Sequence, residues 1–153
     1  MATMFTDLLR RLGADAPAPL TDLDQRDALA ALMVRIARSD GDYAPEEAAR
    51  IDRILAARFA LAPEPARSLR ARGEALEAEA PDTVRFTRAI KDAVPYEARH
   101  GVVRALWSVA LADGERDDEE DGLLRLTASL LGVNDRDSAI ARQEAERAGD
   151  AAG

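Results

Sequence analysis

One acidic phrase occurs twice in this chain, and it constrains the fold more than any other feature. Ala37-Arg38-Ser39-Asp40-Gly41-Asp42-Tyr43-Ala44-Pro45-Glu46-Glu47 returns as Ala110-Leu111-Ala112-Asp113-Gly114-Glu115-Arg116-Asp117-Asp118-Glu119-Glu120, with Asp113 lying 73 residues after Asp40 and Glu120 73 after Glu47. In each copy Asp-Gly closes an apolar pattern of helical spacing and Glu-Glu opens the next. Glycine supplies the left-handed turn that can end a helix, and glutamates in a first turn complement the positive end of the helix dipole. The correspondence continues into apolar positions: Met33 aligns with Leu106, Val34 with Trp107, Ile36 with Val109 and Ile51 with Leu124. A chain built this way is expected to form two similar helical hairpins.

Spacing along the chain supports helices throughout. Met4 to Leu12 places Phe5, Leu8, Leu9 and Leu12 on one face, and Gly13 to Pro19 then breaks regular structure. Thr21 can cap the next helix, with Asp24 at the reciprocal position, and Leu29, Leu32, Met33 and Ile36 carry the pattern to Asp40-Gly41. Pro45 suits a first turn, followed by Ile51, Ile54, Leu55 and Phe59. Pro63 opens a segment with Leu69 and Leu76 inside, and Asp82 to Ile90 is a shorter helix. Pro95 begins the second hairpin, with Val102, Val103, Leu106, Trp107 and Val109 on its apolar side. Leu123, Leu124, Leu126, Leu130 and Leu131 continue its partner helix. Gly132 is a good stop, Asn134 a good cap, and a last polar helix runs to about Arg147.

No segment reads as a strand, and the few aromatic residues favour closely packed helices over a β-sandwich. The expected fold is all-α: a compact bundle of about seven to eight helices with two pseudosymmetric helical-hairpin halves. Residues 1–19 form an N-terminal helix and Pro-containing linker, 20–148 the helical domain, and 149–153 a frayed tail.

The net charge of −8 argues against nucleic acid and anionic membranes as partners and favours cations and basic protein surfaces. The chain has no cysteine, which removes disulfides, thiolate metal sites and cysteine nucleophiles together. No apolar run approaches a membrane span and the N-terminus lacks an apolar leader, so a soluble, cytoplasmic protein is expected.

The duplicated corners are the candidate chemistry. An Asp at a helix C-terminus faces the negative end of the dipole, and Asp40 and Asp113 both take that position. Each is followed by a carboxylate-rich first turn, and such crowding requires a cation, an arginine or backbone N–H groups to neutralise it. Oxygen-only ligands of this kind suit Ca2+ or Mg2+. Asp40 with Glu47, and Asp113 with Glu120, are the leading metal ligands; Asp42, Glu115, Glu46 and Glu119 stand behind them. The plainer reading is that Asp-Gly is a turn and the glutamates merely complement the dipole. The corners are not EF-hands, because counting from Asp40 puts Pro45 at the sixth position and Ile51 at the twelfth.

The paired phrases Arg38-Ser39-Asp40-Gly41…Glu46-Glu47 and Ala112-Asp113-Gly114…Glu119-Glu120 resemble the tellurite-resistance TerB-like family. So do Arg85-Phe86-Thr87-Arg88, Tyr96-Glu97-Ala98-Arg99 and Ala105-Leu106-Trp107, over roughly residues 20 to 147. The resemblance implies an all-helical bundle with internal two-fold pseudosymmetry and a divalent metal bound by the repeated acidic residues. It also implies a link to tellurite resistance or chemical stress. Ser39 stands where the pattern usually has Ala, which leaves the ligands intact.

Other constellations fall short of chemistry. Glu97 and His100 have the Glu-x-x-His spacing of di-iron bundles, but a second such pair is required and His100 is the only histidine. Ser138 after Asp137 is a poor match to a carrier-protein serine, since Ala139 stands where Leu is expected. Trp107 belongs to the apolar stripe, and Glu74 to Glu79 read as a solvated face. The resulting expectation is a non-enzymatic, divalent-cation-binding domain serving a stress-related complex with unidentified protein partners. The alternative is a metal-free acidic protein-interaction module.

Overall fold

A computed structural model describes residues 24–39, 41, 43–79, 83–111 and 118–152. Seven helices fill them: α1 (Gln25–Arg38), α2 (Pro45–Phe59), α3 (Pro63–Glu79), α4 (Thr83–Ala93), α5 (Tyr96–Ala110), α6 (Asp118–Leu130) and α7 (Asp135–Ala152). No strand occurs among the described residues. The segment Met4 to Leu12 lies outside them. The last helix continues to Ala152, beyond the limit at Arg147 that spacing suggested.

Local signals explain most helix ends. Asp24, rather than Thr21, is the N-cap of α1: its backbone is extended and its Oδ1 accepts the Arg26 N–H at 2.8 Å. The acceptor must sit two or three residues before the donor it satisfies, and Asp24 has that spacing to the first turn. Pro45 takes the first position of α2, as its fixed φ and missing N–H suit. Gly132, at φ 81°, ends α6 by letting the Val133 N–H bond the Ala128 carbonyl at 2.9 Å. Asn134 caps α7, its Oδ1 accepting the Asp137 N–H at 2.8 Å.

Helix α1 is the axis of the bundle. Every residue from Ala28 to Val34 is buried, so all its faces are covered, and it packs against α2, α3, α4, α5 and α6. The core gathers Met33, Ile36, Ile51, Leu55, Phe86 and Leu106 around it. Helix α3 crosses α1 at Gly73, where a Cβ would lie 2.7 Å from the Ala30 carbonyl carbon and Cβ. Only glycine permits that approach.

Two helix limits coincide at the 73-residue offset. Moved by it, the start of α2 falls on the start of α6, and the end of α3 on the end of α7. Helix α1 lies chiefly along α3, and α5 chiefly along α7. Helix α4 stands between the two sets.

Candidate functional site

At the first corner the chain leaves α1 through Ser39, whose N–H and Oγ both bond the Ile36 carbonyl, at 3.2 and 2.7 Å. Gly41 follows with φ 85°, its N–H on the Arg38 carbonyl at 2.9 Å, the left-handed turn that glycine makes without strain. Ala44 takes the N-cap place with no side chain to offer, and Glu47 is the third residue of α2. Asp40, Asp42 and the stretch 112–117, which includes Asp113 and Glu115, lie outside the described residues.

The two glutamates of the repeat are placed alike. Glu120 is the third residue of α6, as Glu47 is of α2, and their exposures are 4 % and 9 %. The dipole does not explain this, since Glu46 serves it from an exposed position one residue earlier. Taking a carboxylate out of water costs several kcal/mol unless charge or hydrogen bonds compensate, and neither side chain is free of partners. The glutamates, which the dipole reading treated as accounted for, are therefore the pair whose environment the fold has specialised. Among the described residues, no three His, Cys, Asp or Glu side chains gather as a metal-holding group.

A sequence model of the family described as "Tellurite resistance protein TerB" matches residues 26–143. The chain belongs to the TerB family. The match runs from the first turn of α1 into α7 and spans both acidic corners. No curated protein and no solved structure matches the chain.

The surroundings of the two corners in this TerB domain differ. Beside the first, Arg38 lies over the Tyr43 ring at 5.1 Å and bonds Glu77 at 2.9 Å. Arg70 binds Asp52 and Glu74, each at 2.6 Å, and so ties α3 to α2. That hydrogen bond to Asp52 is the main cause holding the Arg70 guanidinium charged beyond its ordinary range. The Tyr43 hydroxyl is buried near Arg70 but has no hydrogen bond of acceptable geometry. Burial, and then the Glu74 charge, push its pKa up. Glu74 and Glu77 are thus ion-pair partners rather than a solvated face.

On the α5–α7 side, Trp107 is buried, as the apolar stripe required, yet it also donates its indole N–H to Ser138 Oγ at 3.1 Å. His100 faces Glu144 at 3.0 Å, with Arg104 also on that carboxylate at 3.4 Å. The Glu144 carboxyl is held below its ordinary pKa, first by the His100 hydrogen bond. These partners are 31 to 44 residues apart, and no local motif announced them. No helix among the described residues is long and apolar enough to cross a membrane.

Proposed function

We propose that this TerB domain is a non-enzymatic module that binds a divalent cation through the duplicated corners, in the service of a stress response such as tellurite resistance. The observation that carries the reading is the burial of Glu47 and Glu120 at one register of the repeat. With Asp40 and Asp113 the donor set is oxygen alone, which suits Ca2+ or Mg2+ better than softer metals. The one histidine is engaged by Glu144, which supports carboxylate ligation without imidazole. The setting is cytoplasmic, and the cation-loaded surface would be what protein partners recognise.

Calorimetry with Ca2+, Mg2+, Mn2+ and Zn2+, read together with melting temperature, tests this. Saturable heat and a raised melting point are expected for at least one ion, with both reduced in the combined Asp40→Asn, Asp113→Asn variant. No heat and no thermal shift for any ion at millimolar concentration sinks the cation reading. Partner capture that persists unchanged in chelator would favour a metal-free acidic interaction module.

A further inference from the structure

The α5–α7 side contains a cleft. It has a volume of about 520 Å³ and runs between α6 and α7 over Trp107. That size is within the roughly 300–1,000 Å³ typical of small-ligand sites. Asp121 and Arg125 line it from α6, and Asp135, Ser138 and Arg142 from α7. At the same register the first half has Val34 for Trp107, Asp52 for Arg125 and Leu69 for Arg142. Val34 and Leu69 are buried core, and Asp52 closes α2 onto α3 through Arg70. In the second set the matching side chains line the cleft between α6 and α7.

The walls carry charges of both signs. Arg142 lies over the Trp107 ring at 5.4 Å and is fixed there by Glu146 at 3.0 Å. Arg125 meets Asp135 at only 3.6 Å, with both side chains more than two-thirds exposed or nearly so, at 67 % and 77 %. Such a pair is worth about 0–1 kcal/mol, so a ligand carrying both charges can replace each partner with little loss. A simple anion would gain the guanidiniums but meet Asp121 and Asp135 on a molecule of net charge −8. A simple cation would meet Arg125 and Arg142.

We infer that this cleft binds a small zwitterion of the α-amino-acid class. Its carboxylate pairs with Arg125 and Arg142, its ammonium with Asp121 and Asp135, and its carbon skeleton lies along Gly122 and Ala139, above the buried Trp107. The inference goes beyond the cation reading and stands without it.

Trp107 is the sole tryptophan and lines this cleft, so its emission is the readout. The full chain is titrated with L-leucine and L-glutamine at constant ionic strength, then with N-acetyl-L-leucine and L-leucinamide. A saturable change in emission is expected with a free amino acid. Because charge-assisted hydrogen bonds are lost, each blocked derivative should bind about tenfold more weakly or worse. Arg125→Gln, on an exposed position, should weaken binding about tenfold with the far-ultraviolet circular dichroism unchanged. The inference is overturned by no saturable change with either amino acid, by equal binding of a blocked derivative, or by unaltered binding in a folded Arg125→Gln protein.

Discussion

The two helix sets share two helix limits and the register of one buried glutamate, but they close differently. In the first, α3 touches α1 backbone to backbone at Gly73, and Arg70 locks α3 to α2. In the second, Glu146 stands at the Gly73 position and points its carboxylate at Arg142, and a cleft lined by Trp107 and two arginines lies between α6 and α7. The carboxylate of an interhelical pair also changes sides. Asp27 on α1 faces Arg72 on α3, whereas His100, 73 residues after Asp27, faces Glu144 on α7. One set has become a tight support and the other a surface with room in it. The two sets align in sequence at an offset of 73 residues, and they differ in side-chain size and charge at the aligned positions.

Gly73→Ala should break this comparison hardest. The added Cβ meets backbone atoms of Ala30 and Ala31, which cannot turn aside. Overpacking of about 1–3 kcal/mol or more should outweigh the roughly 1 kcal/mol gained in helix propensity. At the matching position, Glu146→Ala should change stability by no more than about 0.5 kcal/mol. Denaturant midpoints of the two variants measure the contrast directly, and equal midpoints would show that the halves are packed alike.

Ser138→Ala comes next. It leaves the buried Trp107 indole N–H without its acceptor and should cost about 1–2 kcal/mol. Its counterpart in the first half is Pro65, opposite the aliphatic Val34, so no matching polar loss exists there. Combining Ser138→Ala with Trp107→Phe should cost less than the two single changes added together, because one partner's removal makes the other's dispensable. Strict additivity would refute the bond.

The smallest effect concerns pH. Because the Glu144 carboxyl is depressed in the folded protein, its stabilisation is present above the ordinary carboxylate pKa of 4.5 and is lost as pH falls through the lower folded value. Glu144→Gln should therefore lower the melting temperature slightly at neutral pH, with the gap to the parent narrowing below pH 4.5. A gap independent of pH would mean that the carboxylate contributes nothing as a charge.

Spacing alone made the helices readable: Leu29, Leu32, Met33 and Ile36 recur at helical intervals, and Gly41, Pro45, Gly132 and Asn134 do at the helix ends what their chemistry suggests. Family membership was legible for the same reason, in two ordered acidic phrases. What escaped is what depends on distance in space. Gly73 resembles any mid-helix glycine until α1 is laid against it. Arg70 finds Asp52 18 residues away, and Trp107 shows its polar bond only once α7 is in place. The burial of Glu47 and Glu120 was hidden because exposed and enclosed first-turn glutamates have the same sequence signature. Asp24 displaced Thr21 as cap because several residues in that stretch could serve, and only the position of the first helical N–H chooses between them.

Helix α1 carries a last consequence. It is enclosed by helices of both sets, so neither set can melt while leaving it intact. The amide protons from Ala30 to Val34 should exchange with solvent only through global opening, at one rate set by the whole molecule. Two helix sets that share one central helix are thus expected to unfold as one cooperative unit.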